Sequence, residues 1–203
     1  MKNLIDNKII AVIGNAQHLF DESFGKEIDS HETVIRINRS ASICFTEKYR
    51  SLKKTHGFKT TIWAFSFADT MRNAIQKNYT KATFLIQMND ISKNKIKHPF
   101  KFDAITRDEI TELKQKLNKY HEEEYKNYGP STGLRVLDYI SKFSPLEVNI
   151  YGFDWKKTPT FYDFKHETRN VEVKHNHNYL VEMEYCKKVF KNKYGYTFKG
   201  VEL

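Results

Sequence analysis

Residues 12–38 read VIGNAQHLFDESFGKEIDSHETVIRIN, and this stretch decides the fold. The apolar run KIIAVI at 8–13 stops at Gly14-Asn15. A second run, ETVIRI at 32–37, stops at Asn38. Short β-branched runs bounded by turn residues read as strands buried on both faces. Further runs of this kind lie at 59–65 (KTTIWAF), 82–87 (ATFLIQ) and 146–151 (LEVNIY), with a last strand over 196–202. Helical spacing is expected near 68–78, over 107–126, after Thr132 and over about 178–192. Strands alternating with helices predict an α/β chain, a single Rossmann-like domain over 1–203 with a mostly parallel sheet flanked by helices. The region of about 91–128 reads as a lid or loop, because ISKNKIKHPFKF at 91–102 has no clean periodicity.

In a doubly wound sheet ligands gather where strands end, and three blocks place small or polar residues there. In the first block, Gly14 opens the backbone to close approach, although Gly-Asn after a strand is by itself a common structural turn. Asn15 and Asn38, ending two strands, offer amide donors and acceptors to a ribose and a phosphate. The full GxGxxG fingerprint is absent, which argues against nicotinamide or flavin. Arg36 reads as a buried side chain salt-bridged to Asp29 or Glu32, and Arg39 as a surface residue or a phosphate contact.

The second block is GPSTG at 129–133, followed by an apolar helix and then by NIYGFDW at 149–155. Ser131 or Thr132 can cap that helix, and its free N–H groups make an anion site shared with Gly133. Gly152 and Phe153 would border a pyrimidine ring, with Asp154 beside them. In the third block, KHNHNYLVEMEY, His177 precedes Glu182 by five positions. A neutral imidazole suits a general base at pH 7. His175 and His177 suggest a metal at first sight, but no third ligand follows at zinc spacing, so no metal is expected.

These blocks resemble the sialylmotifs of glycosyltransferase family 29, the sialyltransferases. The first is similar to a large motif running VxGN, ID and RxN, the second to a small motif of PSTG and YGF, and the third to His-x4-Glu. The resemblance implies a GT-A-like sialyltransferase variant, a compact soluble member of bacterial or viral type. It further implies that Asn15, Asn38, Ser131, Thr132, Gly133, Gly152 and Phe153 hold a CMP-activated donor, with His177 as base. Gly14 and Asp154 are read as donor-binding beside them, although Asp154 departs from many animal members, and Glu182, a turn along the helix, is placed to orient His177 or accept its other ring proton. The implied reaction is an inverting transfer of sialic acid to a glycan hydroxyl, with CMP-Kdo as the alternative donor. No cofactor is implied, since CMP carries only one phosphate and the CMP-sugar is a substrate. Where animal members carry a His-Tyr motif this chain has Phe161-Tyr162, so Tyr128, Tyr162 or His166 would steady the leaving phosphate. The family's disulfide cysteines correspond to Ile10 and Pro145.

Composition agrees with a globular protein of 203 residues, 39% hydrophobic and 29% charged. Its two cysteines, Cys44 and Cys186, suit a reducing compartment. No apolar run reaches the roughly 18 residues of a membrane span, and the N-terminus has no signal-peptide pattern. A cytoplasmic enzyme is expected, peripheral to the inner membrane if its acceptor is a glycolipid. The net charge of +9 fits an anionic partner, whether nucleotide sugar, anionic membrane or nucleic acid. A non-catalytic nucleotide or nucleic-acid binding module is the competing class. Nucleic acid is not the expected partner, because the basic residues are scattered and aromatics mostly build cores.

Overall fold

A computed structural model of the protein describes residues 1–44, 51–66, 84–87, 101–120, 128–155, 157–158 and 177–203. In chain order the elements are α1 (Lys2–Ile5), β1 (Ile9–Ile13), α2 (Gly25–Ser30), β2 (Thr33–Ile37), α3 (Lys53–His56), β3 (Ile62–Phe65), β4 (Phe84–Gln87) and β5 (Lys101–Ala104). They continue with α4 (Arg107–Asn118), α5 (Thr132–Ile140), β6 (Glu147–Tyr151), α6 (Tyr179–Tyr185) and β7 (Thr197–Lys199). Turns of 3-10 helix occupy Gln17–Asp21 and Asn38–Cys44, and a π-helical turn over Cys186–Lys191 extends α6.

Among the described residues, seven strands form one sheet in the order β5-β4-β3-β2-β1-β6-β7, and each of these pairings is parallel. The chain winds outward from β1 to β5, then returns to lay β6 against the other side of β1. That reversal between β1 and β6 is the switch point where open α/β sheets bind ligands.

Alternate residues of β1 serve opposite faces of the sheet, as strand geometry requires. Ile10 and Val12 join the larger core with Ile35, Leu113, Leu117, Leu137 and Val181, under α4, α5 and α6. Ala11 and Ile13 join the smaller core with Leu19, Ile28, Val34 and Tyr151, under α2. Both faces are thus covered, which explains the near-continuous apolar strands.

Two expectations change. First, the described part of 91–128 holds regular elements and not an open loop: Lys101–Ala104 is an edge strand of the sheet and Arg107–Asn118 a covering helix. β5 pairs through backbone to β4 and needs little apolar signal of its own, and Asp103 is held by the phenol of Tyr139. Second, Arg36 is fully buried, but its Nε donates to the Lys59 carbonyl at 2.9 Å and its Nη2 to the His56 carbonyl at 2.7 Å. The expected acids are engaged elsewhere. Asp29 accepts from the N–H groups of Phe58 and Lys59, and Glu32 binds Lys8 and the Ile9 N–H. The helix expected near 68–78 lies outside the described residues. Buried Cys186 is a free thiol, and burial pushes its pKa up, so it resists ionisation.

Candidate active site

Five segments converge at the carboxyl edge of the sheet. The end of β1 brings Gly14 and Asn15, the end of β2 brings Asn38, and the end of β3 brings Ser66. The start of α5 adds Ser131, Thr132 and Gly133, and the end of β6 adds Gly152, Phe153 and Asp154.

The glycines are there for close packing of the protein on itself. A Cβ on Gly14 would lie 2.2 Å from the Gly152 carbonyl oxygen, and one on Gly133 would lie 2.6 Å from Cε1 of Phe153. Gly152 adopts a left-handed φ of 70° and packs on Leu19. The Phe153 ring fills the corner between Gly14 and Gly133. Asp154 faces inward. It accepts from the N–H of Thr158 at 2.7 Å and from its hydroxyl, and Nδ1 of His18 stands 3.8 Å away. Burial works to raise the Asp154 pKa, but the nearby His18 and the hydrogen bonds from Thr158 prevail and hold it below the ordinary value. The carboxylate thereby ties down the chain that leaves β6.

Ser131 caps α5, its Oγ accepting from the Leu134 N–H at 3.2 Å. That hydroxyl in turn donates to Oε2 of Glu182 at 2.5 Å, while the Ser131 N–H donates to Oε1 at 2.7 Å. Glu182 is only 2% exposed, and with these two bonds it clamps the start of α5. The first intrahelical bond of α5 runs from the Arg135 N–H to the Ser131 carbonyl at 3.0 Å. The N–H groups of Thr132 and Gly133 precede it, at the positive end of the helix dipole.

His177 meets the other end of the same loop, with Nδ1 2.6 Å from the Gly129 carbonyl oxygen. A carbonyl only accepts, so Nδ1 carries the proton and the lone pair of neutral imidazole sits on Nε2. Asn178 caps α6 just behind, accepting from the Val181 N–H at 3.3 Å. One motif thus holds GPSTG at two points, His177 at Gly129 and Glu182 at Ser131.

Asn38 has a left-handed φ of 48°. Its carbonyl accepts from Trp63 Nε1 at 2.8 Å and its Oδ1 from the Ser66 N–H at 2.9 Å, and its Nδ2 donates to Thr132 Oγ1 at 3.3 Å. The hydroxyls of Ser66 and Thr132 are bonded to each other. Sequence reading missed Ser66, whose only signal is its position just after an apolar strand. Asn15 differs from Asn38, because its Oδ1 is buried with no hydrogen-bond partner among the described residues. Tyr128 packs against the larger core. Tyr162, His166 and His175 lie outside the described residues. Among those described, no group of three or more His, Cys, Asp or Glu side chains is placed to hold a metal, and no helix is long and apolar enough to cross a membrane.

The all-parallel sheet, with its polar strand ends gathered at the switch point, shares its fold with solved sialyltransferases of GT-A-like type. The mammalian sialyltransferase crystallised with Gal-beta-1-3GalNAc-ortho-nitrophenol superimposes with a TM-score of 0.59, at 16% identity, over 99% of this chain and 72% of that one. Residues 8–51 match the model of glycosyltransferase family 29 (sialyltransferase). The mouse CMP-N-acetylneuraminate-beta-galactosamide-alpha-2,3-sialyltransferase 1 is 43% identical over 44 residues, 22% of this chain and 13% of that protein. The chicken enzyme of the same name is 28% identical over 153 residues, 70% of this chain and 43% of that protein. The chain spans less than half the length of these curated relatives.

Proposed function

We propose that the protein transfers an acidic sugar, sialic acid, from a CMP-activated donor to a glycan hydroxyl with inversion and without a metal. The observation that carries this reading is the bond between His177 Nδ1 and the Gly129 carbonyl. It sets the tautomer a general base needs, beside a helix N-terminus able to take an anion. The related sialyltransferases whose names include CMP-N-acetylneuraminate support the choice of donor.

In this reaction the acceptor oxygen bonds to the anomeric carbon as the bond from that carbon to the CMP phosphate oxygen breaks. His177 Nε2 takes the hydroxyl proton, and the electron pair of the broken bond leaves on CMP. The transition state is oxocarbenium-like. Thr132, with the N–H groups of Thr132 and Gly133, receives the phosphate or the sugar carboxylate. Asn15 and Asn38 hold the nucleoside, Oδ1 of Asn15 accepting from a ribose hydroxyl. Gly14, Gly152 and Phe153 shape the floor, while Ser131 and Asp154 serve through their internal bonds. Tyr128, Tyr162 and His166 are the groups to test for leaving-phosphate contact.

Incubation with CMP-Neu5Ac or CMP-Kdo, with and without chelator, tests the proposal by measuring CMP release. Release from CMP-Neu5Ac that survives chelator is expected, and release from CMP-Kdo alone would reassign the donor. Release from neither, with no thermal shift on adding CMP, would overturn it.

A further inference from the structure

We propose that Ser66, at the end of β3, is a positioning residue for the donor site, acting through Thr132. The inference rests on the functional reading above for its kinetic consequences, but not for its structural one. Ser66 is 8% exposed and reaches two residues assigned to the donor. Its backbone N–H donates to Asn38 Oδ1 at 2.9 Å. Because an N–H only donates, this bond fixes which way the carboxamide points and turns Nδ2 toward Thr132, 3.3 Å away. The side chain of Ser66 does the second task, sharing a hydrogen bond with the Thr132 hydroxyl.

Thr132 needs that hold. It is the first residue of α5, and the capping duty has already gone to Ser131, whose Oγ receives the Leu134 N–H. Threonine in a helix divides between two rotamers, so the cap leaves the Thr132 hydroxyl free to point in either of two directions. Ser66 and Asn38 together select one. Trp63, three positions earlier on β3, holds the Asn38 carbonyl at 2.8 Å and supports its left-handed backbone. Strand β3 therefore sets the geometry of a strand end on one side and a helix start on the other before any ligand arrives. A group ordered in advance loses less entropy on binding.

Ser66→Ala is a selective test, because it removes the hydroxyl and leaves the backbone N–H on Asn38. Loss of one such bond corresponds to roughly a 2- to 12-fold change. We expect the KM for the CMP-sugar to rise by about that factor with a smaller change in kcat. The double variant Ser66→Ala/Thr132→Val should bind no worse than Thr132→Val alone. Additive losses would overturn the proposal, since Ser66 would then act independently of Thr132. A second arm needs no nucleotide: three-bond couplings to the Thr132 methyl carbon should report one rotamer in the wild type and averaging in Ser66→Ala. A single unchanged rotamer in the variant would also overturn it. If the wild type releases CMP from no donor, the functional reading fails, while the couplings still decide the role of Ser66.

Discussion

The carboxylate of Glu182 receives both the N–H and the hydroxyl of Ser131, at 2.7 and 2.5 Å, across 51 residues of chain. Hydrogen bonds to a buried charge contribute about 1.5–3 kcal/mol each. Glu182→Ala should therefore destabilise the fold by about 3 kcal/mol or more and loosen the start of α5. Glu182→Gln should cost less, because its oxygen can still accept the Ser131 N–H although its amide cannot accept the hydroxyl proton. Urea unfolding of the two variants checks the order, and equal midpoints would count against the clamp.

His177→Ala removes the proposed base but leaves the GPSTG loop anchored through Glu182. Transfer should fall by about 10²–10⁴. Affinity for CMP, measured by calorimetry, should stay within a few-fold of wild type. Near-normal turnover would assign the base elsewhere.

Alanine at Gly14 and at Gly133 should differ in kind. The Gly14 Cβ would strike backbone, the Gly152 carbonyl at 2.2 Å, whereas that of Gly133 would strike the Phe153 ring. Gly14→Ala forces two strand ends apart and should cost about 3 kcal/mol or more, beyond ordinary overpacking. Gly133→Ala should cost less. In a Phe153→Ala background it should become neutral or stabilising, because alanine exceeds glycine in helix preference by about 1 kcal/mol. Thermal melts of the single and double variants measure this.

The buried Oδ1 of Asn15 has no hydrogen-bond partner among the described residues. An unmade buried hydrogen bond costs about 1–3 kcal/mol, a penalty that a ligand hydroxyl would relieve. Asn15→Ala should hence leave the ligand-free stability unchanged or raise it slightly, while weakening CMP binding about tenfold. Unchanged CMP affinity would remove Asn15 from the site.

His56 supplies a pH prediction. Its ring is fully buried, and burial together with the nearby Arg36 and His18 lowers its pKa from 6.5 to about 4. The unfolded chain takes up a proton near pH 6.5 that the folded one refuses until about pH 4. Stability should consequently fall as pH drops through that window and be insensitive to this group above it. The loss amounts to roughly 3 kcal/mol at most. His56→Gln should flatten the wild-type decline, and parallel urea midpoints between pH 7 and 4.5 would refute the assignment.

Much of the architecture can be read locally. Six of the seven strands announce themselves as apolar runs ending in turn residues, because a strand buried on both faces needs apolar side chains throughout. The α5 cap is equally legible, since a serine before an apolar helix answers to bonds made within four residues. β5 is not, because an edge strand is held by the backbone of its neighbour. Nor are the roles within the site. The bond from Glu182 to Ser131 spans 51 residues, that from Ser66 to Thr132 spans 66 and that from Asn38 to Thr132 spans 94. No periodicity encodes such pairings. They arise when the return from β5 to β6 brings α5 against the ends of β1, β2 and β3. The chain sequence named the three blocks and their chemistry; the packed fold assigned Glu182 to Ser131, His177 to Gly129 and the glycines to one another. Local bonding preferences travel with the residue, whereas hydrogen-bond partners and contact distances exist only after the sheet has closed around its switch point.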